Sequence, residues 1–237
     1  GGHVIPAITI HDHLKENYDI SISSDVRGLK YLDDKFYKIL VIDTPKLNNL
    51  ILFPLSILKV FFLVLKSLII LKKGKIRILI STGGYMSLPL CIAAWILNIK
   101  IYLLEPNMVI GRANKFFLKF CKKIICYSEN IINFPKKYKN KLNIINPLIR
   151  KKYYNKKSKE NNNNKFTLII IGGSQGAQIF DKILHESIIK VSKFKTLKVI
   201  HQTNQKNINN LKNLYLENKI DNTVFSYDQN LNLLIDQ

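Results

Sequence analysis

Apolar residues along this chain gather in short runs at 76–81, 101–104, 124–127, 166–171, 197–202 and 223–226. Mostly apolar runs of that length suit strands buried on both faces of a parallel sheet. Shorter runs at 20–23, 38–42 and 143–146 read as further strands. Between them lie helical periods: one from 5 to 14, with Ile5, Ile8 and Leu14 on one face and Pro6 in the first turn. A charged stretch at 29–36, the segment through Ala93, Ala94 and Trp95, a basic aromatic stretch at 111–123, then 175–191 and 206–219 also read as helices, with one more starting near Asp228. Strands alternating with helices predict an α/β fold of parallel sheets.

The alternation breaks at 151–165, KKYYNKKSKENNNNK, which has no apolar period and a polyasparagine tract. This predicts a linker, with an N-terminal domain at 1–150 and a C-terminal domain at 166–237. The second domain supplies only about three strands, fewer than the five or six of a doubly wound sheet, and is therefore expected to be incomplete. Residue 1 is Gly and already lies in a glycine-rich turn, so a truncated start is also expected.

The most apolar segment, 50–71, is long enough to cross a bilayer, but Lys59 and Lys66 would each cost about 2.5–3.5 kcal/mol near the membrane centre. With Ser56, Lys59, Lys66 and Ser67 on one stripe, it reads instead as a helix packed on a sheet or lying partly in a membrane interface. Charge bears on the same question. Lys and Arg number 37 against 16 Asp and Glu, a net +21, which points to anionic partners. Lysine, asparagine and isoleucine are abundant throughout, so a general composition bias is the competing source of that charge. No helix-turn-helix, zinc or base-stacking signature accompanies it, which argues against nucleic acid. Cys91, Cys121 and Cys126 have no ligand-like spacing and read as reduced core residues. With no Asp-x-Asp and no histidine cluster, neither a metal nor any other cofactor is expected.

Candidate chemistry sits where strands end in glycine. Residues 166–177, FTLIIIGGSQGA, run from a strand through Gly172, Gly173, Ser174, Gln175 and Gly176 into a helical pattern, and 81–89, STGGYMSLP, repeat the arrangement. Such a turn brings backbone N–H groups and a helix start onto a phosphate.

Taken together, GGHVIPA at 1, STGGYMSLP at 81, LLEPN at 103, NPLIR at 146, IIIGGSQGA at 169, HQT at 201 and VFSYD at 224 resemble the MurG glycosyltransferases in order and spacing. The resemblance implies two Rossmann-like domains of the glycosyltransferase B fold. It implies inverting, metal-independent transfer of N-acetylglucosamine from UDP-N-acetylglucosamine to undecaprenyl-diphospho-muramoylpentapeptide (lipid I to lipid II), at the cytoplasmic face of the inner membrane, by a peripheral enzyme on an anionic surface. His3 matches the proposed general base, and Glu105 would orient the acceptor or take a proton. Gly1, Gly2, Asn107, Gly173, Ser174, Gln175 and Gly176 match the donor site. Ser226 falls where a backbone contact reaches uracil, and Ile149 and Arg150 compete for the family's arginine position. Gly84, Tyr85 and Asn114 would line the acceptor site. The family's His-Glu-Gln-Asn is here Leu104-Glu105-Pro106-Asn107, and Ala113 stands where a threonine is usual. A non-catalytic copy, truncated or split, and another nucleotide-sugar transferase of the same fold are the alternative readings.

Overall fold

A computed structural model describes residues 2–45, 53–151, 166–172 and 178–226. The chain forms two compact units, 1–151 and 152–237.

The N-terminal unit opens with α1 (Val4–Leu14), then β1 (Ile22–Ser24) and β2 (Ile39–Val41), which pair in parallel. The predicted helix at 29–36 is instead a 3-10 turn, Val26–Tyr31. Its cause is local: the Asp25 carboxylate accepts from Gly28 N at 2.9 Å, and Arg27 pairs with the same carboxylate. Next come α2 (Phe53–Lys73), β3 (Ile78–Ser81), α3 (Leu88–Ile96), β4 (Lys100–Glu105), α4 (Arg112–Phe117), β5 (Lys123–Cys126) and β6 (Leu142–Ile144). Strands β3 to β6 form one parallel sheet in chain order. Its core joins Leu103 and Ile124 of the sheet to Val64 and Leu71 of α2, Ala93 and Ala94 of α3, and the buried thiols Cys91, Cys121 and Cys126. Burial pushes the Cys91 and Cys126 thiols up to about 12, so neither is a thiolate near neutral pH.

Two sequence expectations change here. The basic helix expected at 111–123 stops at Phe117. Beyond it, the Lys141 ammonium donates to the carbonyls of Leu118, Lys119 and Cys121 at 2.7–3.0 Å, so a side chain from another element takes the chain end that further helical turns would have satisfied. In α2 the polar stripe does not exist as one face. Ser67 is buried and donates to Leu63 O at 2.7 Å, whereas Lys59 and Lys66 are exposed among Leu55, Leu58, Phe61, Phe62, Leu65 and Ile69.

The C-terminal unit contains β7 (Phe166–Ile170), α5 (Gln178–Ile183), α6 (His185–Ser192), β8 (Leu197–Gln202), α7 (Ile208–Glu217) and β9 (Asp221–Phe225), with β7-β8-β9 parallel. Central strand β8 is buried almost continuously, with Val199 and Ile200 both fully covered; Val199 packs with Ile188, Leu211 and Tyr215. The single helix expected over 175–191 is two, divided at Leu184. The helix expected near Asp228 lies outside the described residues, as do 152–165. Among the described residues, four other than glycine take positive φ: Lys75, Asn98, Asn133 and Lys219.

Candidate functional site

At the end of β3 the chain turns through Thr82, Gly83 and Gly84 into the 3-10 turn Tyr85–Ser87, which runs on into α3. Both glycines have positive φ, +88° and +83°. The turn is braced from within: Gly83 N donates to Ser81 Oγ at 3.2 Å and Ser87 Oγ to Gly84 O at 2.8 Å. His3, at the start of α1, is fastened to it twice. Its Nδ1–H donates to Thr82 O at 2.7 Å, and Thr82 Oγ1 donates to His3 O at 2.9 Å. A carbonyl can only accept, so the proton of a neutral ring resides on Nδ1 and Nε2 keeps its lone pair.

Gly84 lies directly against that ring. A Cβ there would stand 3.0 Å from His3 Cδ2 and 3.4 Å from Nε2, at a φ and ψ (+83°, 161°) that side-chain-bearing residues avoid. Gly84→Ala is therefore expected to destabilise the N-terminal unit by about 1–3 kcal/mol and to displace the imidazole. Thermal unfolding and the His3 ring resonances in NMR check this; unchanged ring shifts would refute the contact.

Glu105 ends β4 and is 2% exposed. Its Oε1 accepts from Asn107 N at 3.3 Å and Asn107 Nδ2 at 3.0 Å, and its Oε2 from Gly111 N at 2.8 Å and Asn114 Nδ2 at 3.0 Å. Four donors fill the acceptor positions of a carboxylate. With all four positions taken, the carboxylate joins the backbone of the 105–111 loop to the Asn114 side chain. Asn114 also donates to Leu104 O at 3.0 Å, which fixes its amide orientation. Its Oδ1 is buried, has no protein donor and lies beside Gly83, where a Cβ would be 3.5 Å away. One locus thus holds His3, Gly83, Gly84, Glu105, Asn107 and Asn114, with half-exposed Tyr85 opening the 3-10 turn. Gly2 immediately precedes His3 and has open space around it.

Arg150 is not brought to this locus. Its charge acts on Tyr37, which also faces Asp12, and the neighbouring Ile149 O lies 2.8 Å from His13 Nε2. Asp12 and His13 belong to the last turn of α1, about 14 Å along the helix from His3 at 1.5 Å per residue. Gly1, Gly173, Ser174, Gln175 and Gly176 lie outside the described residues.

In the C-terminal unit, the ends of the three strands meet at one side chain, Gln202, which the HQT motif contains without a role of its own. Gln202 accepts from Gly172 N at 3.2 Å and donates to Ser226 O at 3.0 Å. Beneath it, Asp181 of α5 accepts from Thr203 Oγ1 at 2.6 Å and Asn207 Nδ2 at 2.7 Å. Its other oxygen is 3.2 Å from His201 Nε2, and His201 Nδ1 is 2.8 Å from the Tyr215 hydroxyl. Burial pushes the His201 imidazole down against the pull of Asp181, and raises the Tyr215 hydroxyl to about 12. The available signal was a polar triplet, His201-Gln202-Thr203, closing an apolar strand.

The profile of the glycosyltransferase family 28 N-terminal domain matches residues 1–126, and that of the family's C-terminal domain matches 167–237. The chain belongs to glycosyltransferase family 28. A family-28 relative from Pelagibacter ubique (strain HTCC1062) is 47% identical over 98% of this chain. It is named UDP-N-acetylglucosamine--N-acetylmuramyl-(pentapeptide) pyrophosphoryl-undecaprenol N-acetylglucosamine transferase. A relative of the same name from Rickettsia canadensis (strain McKiel) is 32% identical over 98% of the chain and 67% of its own length. The chain spans 65% of the Pelagibacter relative's length, just under two thirds. Among solved structures, Acinetobacter baumannii MurG superimposes with a TM-score of 0.66 at 22% identity, covering 98% of this chain and 65% of that one. The family-28 architecture of parallel α/β units is the glycosyltransferase B fold, and the resemblance drawn from the motifs is borne out by these relatives.

Proposed function

We propose that this family-28 chain transfers N-acetylglucosamine from UDP-N-acetylglucosamine to undecaprenyl-diphospho-muramoylpentapeptide, with inversion at the anomeric carbon. The observation that carries the reading is His3, held by Thr82 O in the tautomer whose Nε2 lone pair is beside the Gly83–Gly84 turn. In the proposed reaction Nε2 removes the proton of the acceptor sugar's C4 hydroxyl as that oxygen attacks the anomeric carbon and UDP departs. Asn114 Oδ1, a buried acceptor awaiting a donor, suits an N–H or O–H of the acceptor. Asn107 and Tyr85 are assigned to the donor and acceptor respectively. The stretch after Gly172, with Gly173, Ser174, Gln175 and Gly176, is assigned to the donor diphosphate, whose growing negative charge backbone N–H groups would stabilise. The names of the relatives support this substrate pair. Incubation of the intact protein with radiolabelled UDP-N-acetylglucosamine and lipid I tests it: label should pass to the lipid without added metal, and label remaining entirely soluble would defeat the reading.

The acceptor in this reading is lipid-anchored, and we assign the outward face of α2 to the membrane surface. No helix among the described residues is long and apolar enough to cross a membrane. Yet α2 exposes Phe61, Phe62, Leu65 and Ile69 alongside Lys59 and Lys66, the composition of a helix lying in an interface. Trp95 and Phe116 are also exposed, and Lys119 Nζ sits 4.5 Å from the Phe120 ring centre. This supports a peripheral membrane enzyme, and we assign it to the cytoplasmic face of the inner membrane on the reading above. Replacing Phe61 and Phe62 together by Glu should weaken binding to anionic liposomes at least tenfold, since each buried Phe contributes about 1.5–3 kcal/mol. Sedimentation at low and high salt measures it; equal binding by variant and parent would rule out this face.

A further inference from the structure

We propose that Gln202 is a positioning residue for the donor nucleotide, a role that deepens the function above and rests on it. Gln202 is the last residue of central strand β8 and is only 5% exposed, an unusual place for a polar amide unless both ends of it are used. They are used. Gly172 N can only donate and Ser226 O can only accept, so the amide orientation is fixed: Oε1 faces β7 and Nε2 faces β9. The backbone ladder of β8 and β9 ends with Thr203 N donating to Phe225 O at 2.9 Å. The Gln202 side chain adds one more rung on that side and another toward β7. It acts as a surrogate peptide unit joining three strand ends.

Two consequences follow for the donor. Gly172 N is engaged by Gln202, so this amide orients the chain entering the glycine turn and is not itself a phosphate ligand. On the other side, the Ser226 carbonyl is held in one direction at the position assigned to the nucleobase. Uracil presents an N3–H donor where cytosine presents an acceptor, so a backbone group reads the difference only if its direction is fixed. The adjacent residues brace the same corner. Thr203 and Asn207 hold Asp181, and through it α5, the helix that follows the glycine turn in sequence.

Titration of the intact protein with UDP and with CDP tests the role, comparing Gln202→Met, Gln202→Glu and a core control, Ile188→Val. Gln202→Met should weaken UDP binding at least tenfold. Gln202→Glu keeps an acceptor for Gly172 N but sets an oxygen against Ser226 O, so it should cut the ratio of UDP to CDP affinity at least fivefold. Ile188→Val should lower Tm with UDP affinity and base preference unchanged, which separates positioning from general loosening. UDP affinity of Gln202→Met within twofold of the parent, or an unchanged base preference in Gln202→Glu, would overturn the proposal. A parent protein that binds neither nucleotide would instead overturn the functional reading beneath it.

Discussion

Alanine at position 3 is expected to lower kcat for N-acetylglucosamine transfer by about 10²–10⁴-fold, the usual contribution of a positioned general base. The affinity for UDP should stay close to that of the parent, because the reading assigns His3 to proton removal. The ring is also a tether through Nδ1–H to Thr82 O, so alanine costs roughly 1 kcal/mol of stability as well. Glutamine separates the two effects. Its amide N–H can keep the Thr82 bond, but it has no basic nitrogen, so His3→Gln should be nearly as stable as the parent and nearly as inactive as His3→Ala. Single-turnover rates at saturating donor decide the matter, and a His3→Gln enzyme within threefold of the parent would assign the proton to another group.

Glu105→Gln is expected to act in the opposite order, on stability first and on rate as a result. The carboxylate accepts four N–H bonds from Asn107, Gly111 and Asn114. A carboxamide brings a donor into a position already crowded with donors, leaving at least one buried N–H unpaired. With hydrogen bonds to a charged group worth about 1.5–3 kcal/mol each, the loss should be about 3 kcal/mol. For a unit of this size that corresponds to a fall of roughly 6–12 °C in Tm. Asn114 then loses one of its two fixed acceptors, and the acceptor KM should rise with the fall in stability. If Glu105→Gln instead kept the parent Tm and lost only kcat, the carboxylate would be a proton carrier after all. Calorimetry beside steady-state kinetics distinguishes the two.

Much of this architecture was legible because parallel strands are written as short, mostly apolar runs. The run at 197–202 became β8 with the same bounds, and the glycine turn at 81–89 lies where the sequence put it. The errors share a cause: partners distant in the chain. Nothing near 118–123 announces that Lys141 will cap those carbonyls, so the helical pattern of the sequence runs past the end of α4. The split at Leu184 accompanies a His185 ring whose Nδ1 lies 3.2 Å from Asp181 O, a competition for the backbone that periodicity does not register. In the site, the motif brought His3 to the right turn. That Glu105 would be surrounded by donors depended on the path of the 105–111 loop, and that Arg150 would face Tyr37 depended on a contact of the neighbouring Ile149 with His13, 136 residues away in the chain. Gln202 was visible only as part of a motif, because its role exists between three strands and in none of them.

The positive-φ residues carry a last consequence. Lys75, Asn98, Asn133 and Lys219 fill left-handed positions at which many proteins place glycine. A left-handed backbone in this chain therefore does not by itself call for glycine. At Gly83 and Gly84 space decides, since a Cβ would stand 3.3 Å from Asn114 Nδ2 and 3.0 Å from His3 Cδ2 respectively. At Gly84 the steric wall is the imidazole itself.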